Sequence, residues 1–274
     1  MKAILDLIGR EWSLEQVSKT LAEAAKESQM SVIGAMHIIC ADESEFEVCE
    51  AFQKNFVYSM LPELKDARAA AFTLSNLGAR YDPGAVHVAE HHYALGESTE
   101  TPKLMVIKVN GHVGIKMVDG LESFGTLERY GLDSACCGAL HAMMGGAQGP
   151  FVSELKNAFN KDGIDRLAIL DDPAQVPPAS RSLFVAVSSA ILQAEAVADD
   201  ILSKSPASPT LFWVLPCVTC NRPGEDTEIV CGLIQVDYRK ATAERRQMGL
   251  GNTPSKYRLE QVDKAMRIRE EKGA

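Results

Sequence analysis

The sequence predicts an α/β protein built on one central mixed sheet flanked by helices. Three observations point there. A capped amphipathic helix leads into a β-branched apolar run at 31–40. Two β-rich runs flank Asn110-Gly111, and a second pair near the C-terminus flanks a polar turn. Between these runs lie segments with helical periodicity, and no internal repeat or linker interrupts them.

In chain order, Ser13 offers an N-cap with Glu15 and Gln16 behind it. It opens a helix to about Ser28 with Leu14, Val17, Leu21 and Ala24 on one face. The run at 31–40 reads as a buried strand ending at Cys40. Asp42, Glu43 and Ser44 then lead into an amphipathic helix with Phe46, Cys49, Phe52 and Phe56 inward. A helix is expected over 61–77, ended by Gly78, and an irregular stretch over 80–101 holding His87, His91 and His92. Residues 104–118 read as a β-hairpin turning at Asn110-Gly111, the pair that type I′ turns favour. A helix or tight turn starts near 134, and another helix covers 151–159. A long helix capped by Ser180 or Ser182 runs to about Ser203, with Val185, Ser188, Ser189, Leu192 and Ala196 as a small-residue face. A second hairpin pairs 210–217 with 229–238. Residues 1–240 are thus expected to form one domain, and 241–274 a charged, helical or partly disordered tail.

Composition narrows the function. The chain has 274 residues, 46% hydrophobic, with a formal net charge of -9. Nucleic-acid binding needs a clustered basic face, and this balance offers none. No apolar run is long enough to span a bilayer, and the N-terminus lacks an export signal, so a cytoplasmic protein is expected. The seven cysteines are then expected reduced, available for metal binding, catalysis or burial.

Cys40 and Asp42 close the first strand. A thiolate there can hold zinc, and a carboxylate two residues on can bind the metal's water. The plain alternative is a small buried residue. Cys136-Cys137-Gly138 begins a helix, where the helix dipole favours a thiolate and glycine admits close backbone approach. His91 and His92 are candidate ligands, and so is His141, four residues after Cys137. His112 is expected at a hairpin tip away from this chemistry, and His37 in the core. Cys217 and Cys220, three apart on a strand, point to opposite faces and do not converge.

The order of these parts resembles the limiting-CO2-inducible B/C family, the θ-class of carbonic anhydrases. The resemblance spans roughly 33–238 and rests on Cys40-Ala-Asp42-Glu43 and Ala135-Cys-Cys137-Gly138-Ala139-Leu140. It implies a fold like that of the β-class anhydrases, a homodimer, and zinc held by cysteine, histidine and cysteine beside an aspartate–arginine pair. Cys40 and Cys137 match the cysteines and Asp42 the aspartate. The family's histidine belongs where this chain reads Pro102-Lys103-Leu104-Met105, so His92, His91 or His141 would have to replace it. Arg80, or else Arg68, is the arginine candidate. The implied reaction is reversible hydration of CO2 to bicarbonate. The alternatives are a non-catalytic homologue that binds metal, bicarbonate or a partner, and a metal-free hydrolase or transferase with Cys137 as nucleophile.

Overall fold

The structure, a computed structural model, describes residues 2–60, 71–92, 102–144, 181–203, 210–237 and 246–248. In chain order the elements are α1 (Lys2–Leu7), β1 (Glu11–Ser13), α2 (Leu14–Glu27), β2 (Val32–Cys40), α3 (Phe46–Phe52), α4 (Tyr58–Met60), β3 (Phe72–Asn76), α5 (Ala85–His92), β4 (Lys103–Val118), β5 (Leu121–Phe124), β6 (Thr126–Arg129), β7 (Leu132–Ala135), α6 (Gly138–Met144), α7 (Arg181–Ser203), β8 (Thr210–Asn221), β9 (Thr227–Val230), β10 (Ile234–Asp237) and β11 (Arg246–Met248). None of the described helices is long and apolar enough to cross a membrane.

The fold is mixed α/β. Its sheet core is parallel, in the order β8-β4-β2-β3, and antiparallel strands close one side: β9 and β10 on β8, β1 on β9 and β11 on β10. Burial on both faces is what makes β2 and β8 near-continuous apolar runs. Alternation along β4 sends Leu104 and Val106 into a core shared with α2 and α3, and Met105, Ile107 and Val109 into one shared with α7. The first face then turns polar, because Lys108, Asn110 and His112 continue the same alternation and all are buried.

The Ser13 cap is present, its hydroxyl accepting from Gln16 N at 3.2 Å. The long helix and the β8–β9 hairpin also form where the sequence places them. Four expectations fail. Asn110-Gly111 is not a turn: β4 runs through it for 16 residues, paired with β2 on one side and β8 on the other. Gly111 is there for space, since a Cβ would stand 2.9 Å from the Ala186 carbonyl oxygen of α7. The turn that ends β4 is Asp119-Gly120, with φ of 51° and 80°, and β5 pairs back from it. Residues 72–76 are a strand rather than the end of a helix, and 85–92 are a helix rather than irregular chain. Phe46 is 71% exposed while Phe52 and Phe56 stack in the core, because the helix turns its start toward solvent. Residues 246–248 of the expected tail form β11. The rest of that tail, residues 61–70 and the expected helix at 151–159 lie outside the described residues.

Candidate metal centre

Register sets the site. Ile38 of β2 pairs with Val109 of β4, so Cys40 ends its strand level with Gly111, beside His112. Gly114 lets a third segment close over that end: a Cβ there would stand 2.8 Å from Cys136 Cβ and from Thr126. Gly114 N donates to Cys136 O and Cys136 N to Gly125 O, each at 3.0 Å, which pins the chain before α6. Cys137 then faces Cys40, sulfur to sulfur, at 3.5 Å.

Cys40, His112 and Cys137 each bring a ligand atom within 4.8 Å of the others, and all three are buried. Two thiolates on a tetrahedral zinc at about 2.3 Å stand about 3.8 Å apart, so the sulfur pair fits. The histidine fits for a second reason. Asn221 donates its amide to Ser44 O at 3.2 Å and to Asp226 Oδ2 at 3.0 Å, which turns its Oδ1 toward His112 Nδ1, 3.1 Å away. An amide oxygen only accepts, so Nδ1 carries the hydrogen. Nε2 is buried and makes no hydrogen bond among the described residues. A ring held through one nitrogen with the other bare is how proteins present histidine to a metal.

The thiols share a proton. The hydrogen bond from Cys137 draws the Cys40 thiol well below its ordinary range and Cys137 is pushed up in turn, leaving one thiolate and one thiol. Burial works against a charged His112, but its interactions with Cys136, Cys137 and Cys40, and the charge of Glu45, outweigh it. The ring therefore holds its proton well above the usual range, and a dication on the same atoms competes with that proton. Burial pushes Glu45, whose Oε1 is 3.9 Å from His112 Nδ1, up to about 8.

Asp42 sits at the rim. Its Oδ1 accepts from Ser44 N at 3.0 Å, Ser44 Oγ at 2.8 Å and Arg129 Nη2 at 2.7 Å. Burial would raise its pKa, but the Ser44 bonds and the charges of His112 and Arg129 overcome it, so Asp42 stays ionised below the usual carboxylate range. A second cluster, Asp42, His112 and Cys136, shares the histidine. It suits a cation poorly, because Arg129 already occupies the carboxylate. Beside the site a cavity of about 300 Å3, lined among others by Ser44, Leu127, Asn221, Arg222 and Asp226, opens toward solvent.

Of the residues singled out by sequence, Cys40, Cys137 and Asp42 come together. The histidine beside them is His112, which the mistaken turn had set apart. His91 lies on the exposed side of α5 against His87, and His92 falls in the same helix. His141 is exposed on α6. Arg80 pairs with Asp82 at 3.3 Å, and the guanidinium at Asp42 is that of Arg129 from β6. Nothing local marks Arg129, whose partner is 87 residues away. His112 carried one signal, a polar residue in phase with the buried face of β4.

No protein-family model matches the sequence, and no curated protein matches it. Solved structures do. PtLCIB4, a homologue of the limiting CO2-inducible protein LCIB, superposes with a TM-score of 0.63 at 14% identity, covering 91% of this chain and 99% of its own. LCIB itself gives 0.55 at 10% identity, covering 89% and 96%. The chain has the LCIB fold. At these identities the likeness concerns architecture, and the chemistry rests on the residues described above.

Proposed function

We propose that this chain is a zinc-dependent, carbonic anhydrase-like protein that interconverts CO2 and bicarbonate. The observation that carries the reading is the convergence of two thiols on a buried histidine whose Nε2 has no hydrogen-bond partner among the described residues, with an ionised Asp42–Arg129 pair alongside. Three protein donors leave a fourth tetrahedral position open, the pattern of catalytic zinc rather than structural zinc. The limiting-CO2 proteins that share the fold support the same reading.

Cys40, Cys137 and His112 Nε2 would hold the ion. Zinc so held would supply a water acidic enough to ionise near pH 7, the kind of nucleophile that CO2 hydration requires. The remaining tasks fall to the chain. Asp42, kept ionised, can only accept a hydrogen bond, so it orients a proton-bearing nucleophile and cannot protonate it. Arg129 and Ser44 hold the carboxylate at the rim. The cavity past Ser44 and Asn221 is the route for a small neutral substrate in and an anion out, with Arg222 on its wall.

A nucleophilic-cysteine hydrolase is less well supported. Cys137 is 4% exposed, its thiol is pushed up, and the exposed His141 contacts it through a backbone bond. By resemblance the protein is also proposed to be a cytoplasmic homodimer, with sedimentation as the check on assembly. The deciding experiment measures zinc in purified protein together with stopped-flow CO2 hydration. About one zinc per chain with hydration above buffer supports the reading, and zinc-free, inactive protein that takes up no added zinc ends it. Arg129→Ala should slow hydration where Arg80→Ala does not.

A further inference from the structure

We propose a second metal site, on the surface, formed by His87 and His91 of α5. These residues are four apart on one helix, so their side chains lie over one another on the same face. Their Nε2 atoms are 3.3 Å apart and the ring centroids 4.6 Å. Two metal–imidazole bonds of about 2.0–2.1 Å opened to the tetrahedral angle place the nitrogens about 3.3–3.4 Å apart. The pair therefore already has the bite of a chelate.

Two further features support it. Glu90 Oε2 stands 3.7 Å from His87 Nδ1, a nearby negative charge that favours a cation bound beside the ring. The helix is also firmly placed. Val86 and Ala89 are buried against α7, and Asp200 of α7 accepts from Tyr81 Oη at 2.6 Å and Gly84 N at 2.9 Å at the helix start. Little is then lost in bringing the rings together, because the backbone beneath them is fixed.

Imidazole selects late first-row dications, in the order Cu2+ over Ni2+ and Zn2+, and rejects Mg2+ and Ca2+, which take oxygen ligands. With two protein donors, water fills the remaining positions. The site is open, exchangeable and separate from the buried centre, and it stands whether or not that centre holds zinc.

Ni2+ is the probe. The untagged full chain is titrated by calorimetry as wild type, His87→Ala, His91→Ala and Cys137→Ser. With the buried centre first loaded with Zn2+, wild type should bind one further Ni2+ and Cys137→Ser should bind Ni2+ at the same affinity, while each histidine variant loses about tenfold or more in affinity. Both histidines are exposed, so the variants should fold, and unchanged circular dichroism and an unchanged buried-metal content confirm it. Wild-type affinity for Ni2+ in either histidine variant would overturn the proposal. So would loss of the Ni2+ site in a folded Cys137→Ser.

Discussion

Two buried polar regions are built on the same strands, β2 and β4, and differ in how completely their groups are paired. Deep in the core, every group of the first is answered. Lys108 Nζ meets Glu228 at 2.8 Å, Asn110 donates to Glu228 Oε1 at 2.7 Å and to Thr219 Oγ1 at 3.2 Å, and His37 Nε2 bonds Asn110 Oδ1 at 2.9 Å. Phe52 covers the set, 5.1 Å from the ammonium and edge-on to His37. At the carboxyl end of the same strands, His112 is satisfied on one nitrogen and bare on the other, and two thiols face each other. A fully paired buried network is architecture. One that stops an atom short leaves room for something to complete it.

The largest break in that comparison comes from the open region. Cys137→Ser, or Cys40→Ser, should abolish stoichiometric zinc and CO2 hydration together while leaving the fold intact by circular dichroism. Zinc retained at wild-type affinity in both variants removes the centre from consideration.

In the closed region, the expected loss is of stability. Lys108→Met leaves the Glu228 carboxylate, 0% exposed, without its counter-ion. That should cost about 3–5 kcal/mol in urea unfolding. Zinc bound per folded molecule should not change. Adding Glu228→Leu should recover most of the loss, because the pair costs more to break than to replace by apolar groups. A Lys108→Met protein of wild-type stability would mean that the deep network is not held by its ion pair.

A smaller change sits where the regions meet. Asn221→Leu removes the acceptor that keeps the hydrogen on His112 Nδ1. Zinc affinity, measured against a competing chelator, should fall about 10–100-fold without loss of stoichiometry. Unaltered affinity would show that the tautomer is fixed by another neighbour, with Ser44 Oγ at 3.4 Å the first to test.

The same comparison explains what could be read in the sequence. Local physics was legible: the Ser13 cap, the all-apolar β2, the small-residue α7 and the polar turn after β8 each follow from their own residues. Asn110-Gly111 misled because its turn signal is local while its causes are not. Asn110 is there for Glu228 and His37, and Gly111 for Ala186 of α7. That error moved His112 from the site to an imagined hairpin tip. The two cysteines were found through their positions at element ends. Arg129 was missed because its pairing with Asp42 exists only once β6 and β7 fold over the sheet.

The finest test uses the two histidines as opposing probes of pH. His37 is pushed well below its ordinary range, first by burial and then by the charge of Lys108, against a smaller pull from Asn110. The unfolded chain binds this proton near pH 6.5 and the folded chain does not. Its contribution is therefore present above about pH 6.5 and lost as pH falls, by up to about 1.4 kcal/mol per unit. His112, raised instead, contributes in the opposite sense: its share is present below about pH 6.5 and lost as pH rises through its folded value. The two windows lie on opposite sides of about pH 6.5, so below that pH the His37 slope acts without offset from His112, and metal-free wild type should lose stability on acidification. His37→Gln removes one slope and leaves the other, and this variant should lose less stability on acidification than wild type. If both proteins lose stability in parallel in urea unfolding at the two pH values, His37 is protonated in the fold. The deep network would then carry a charge that its closed geometry has no place for.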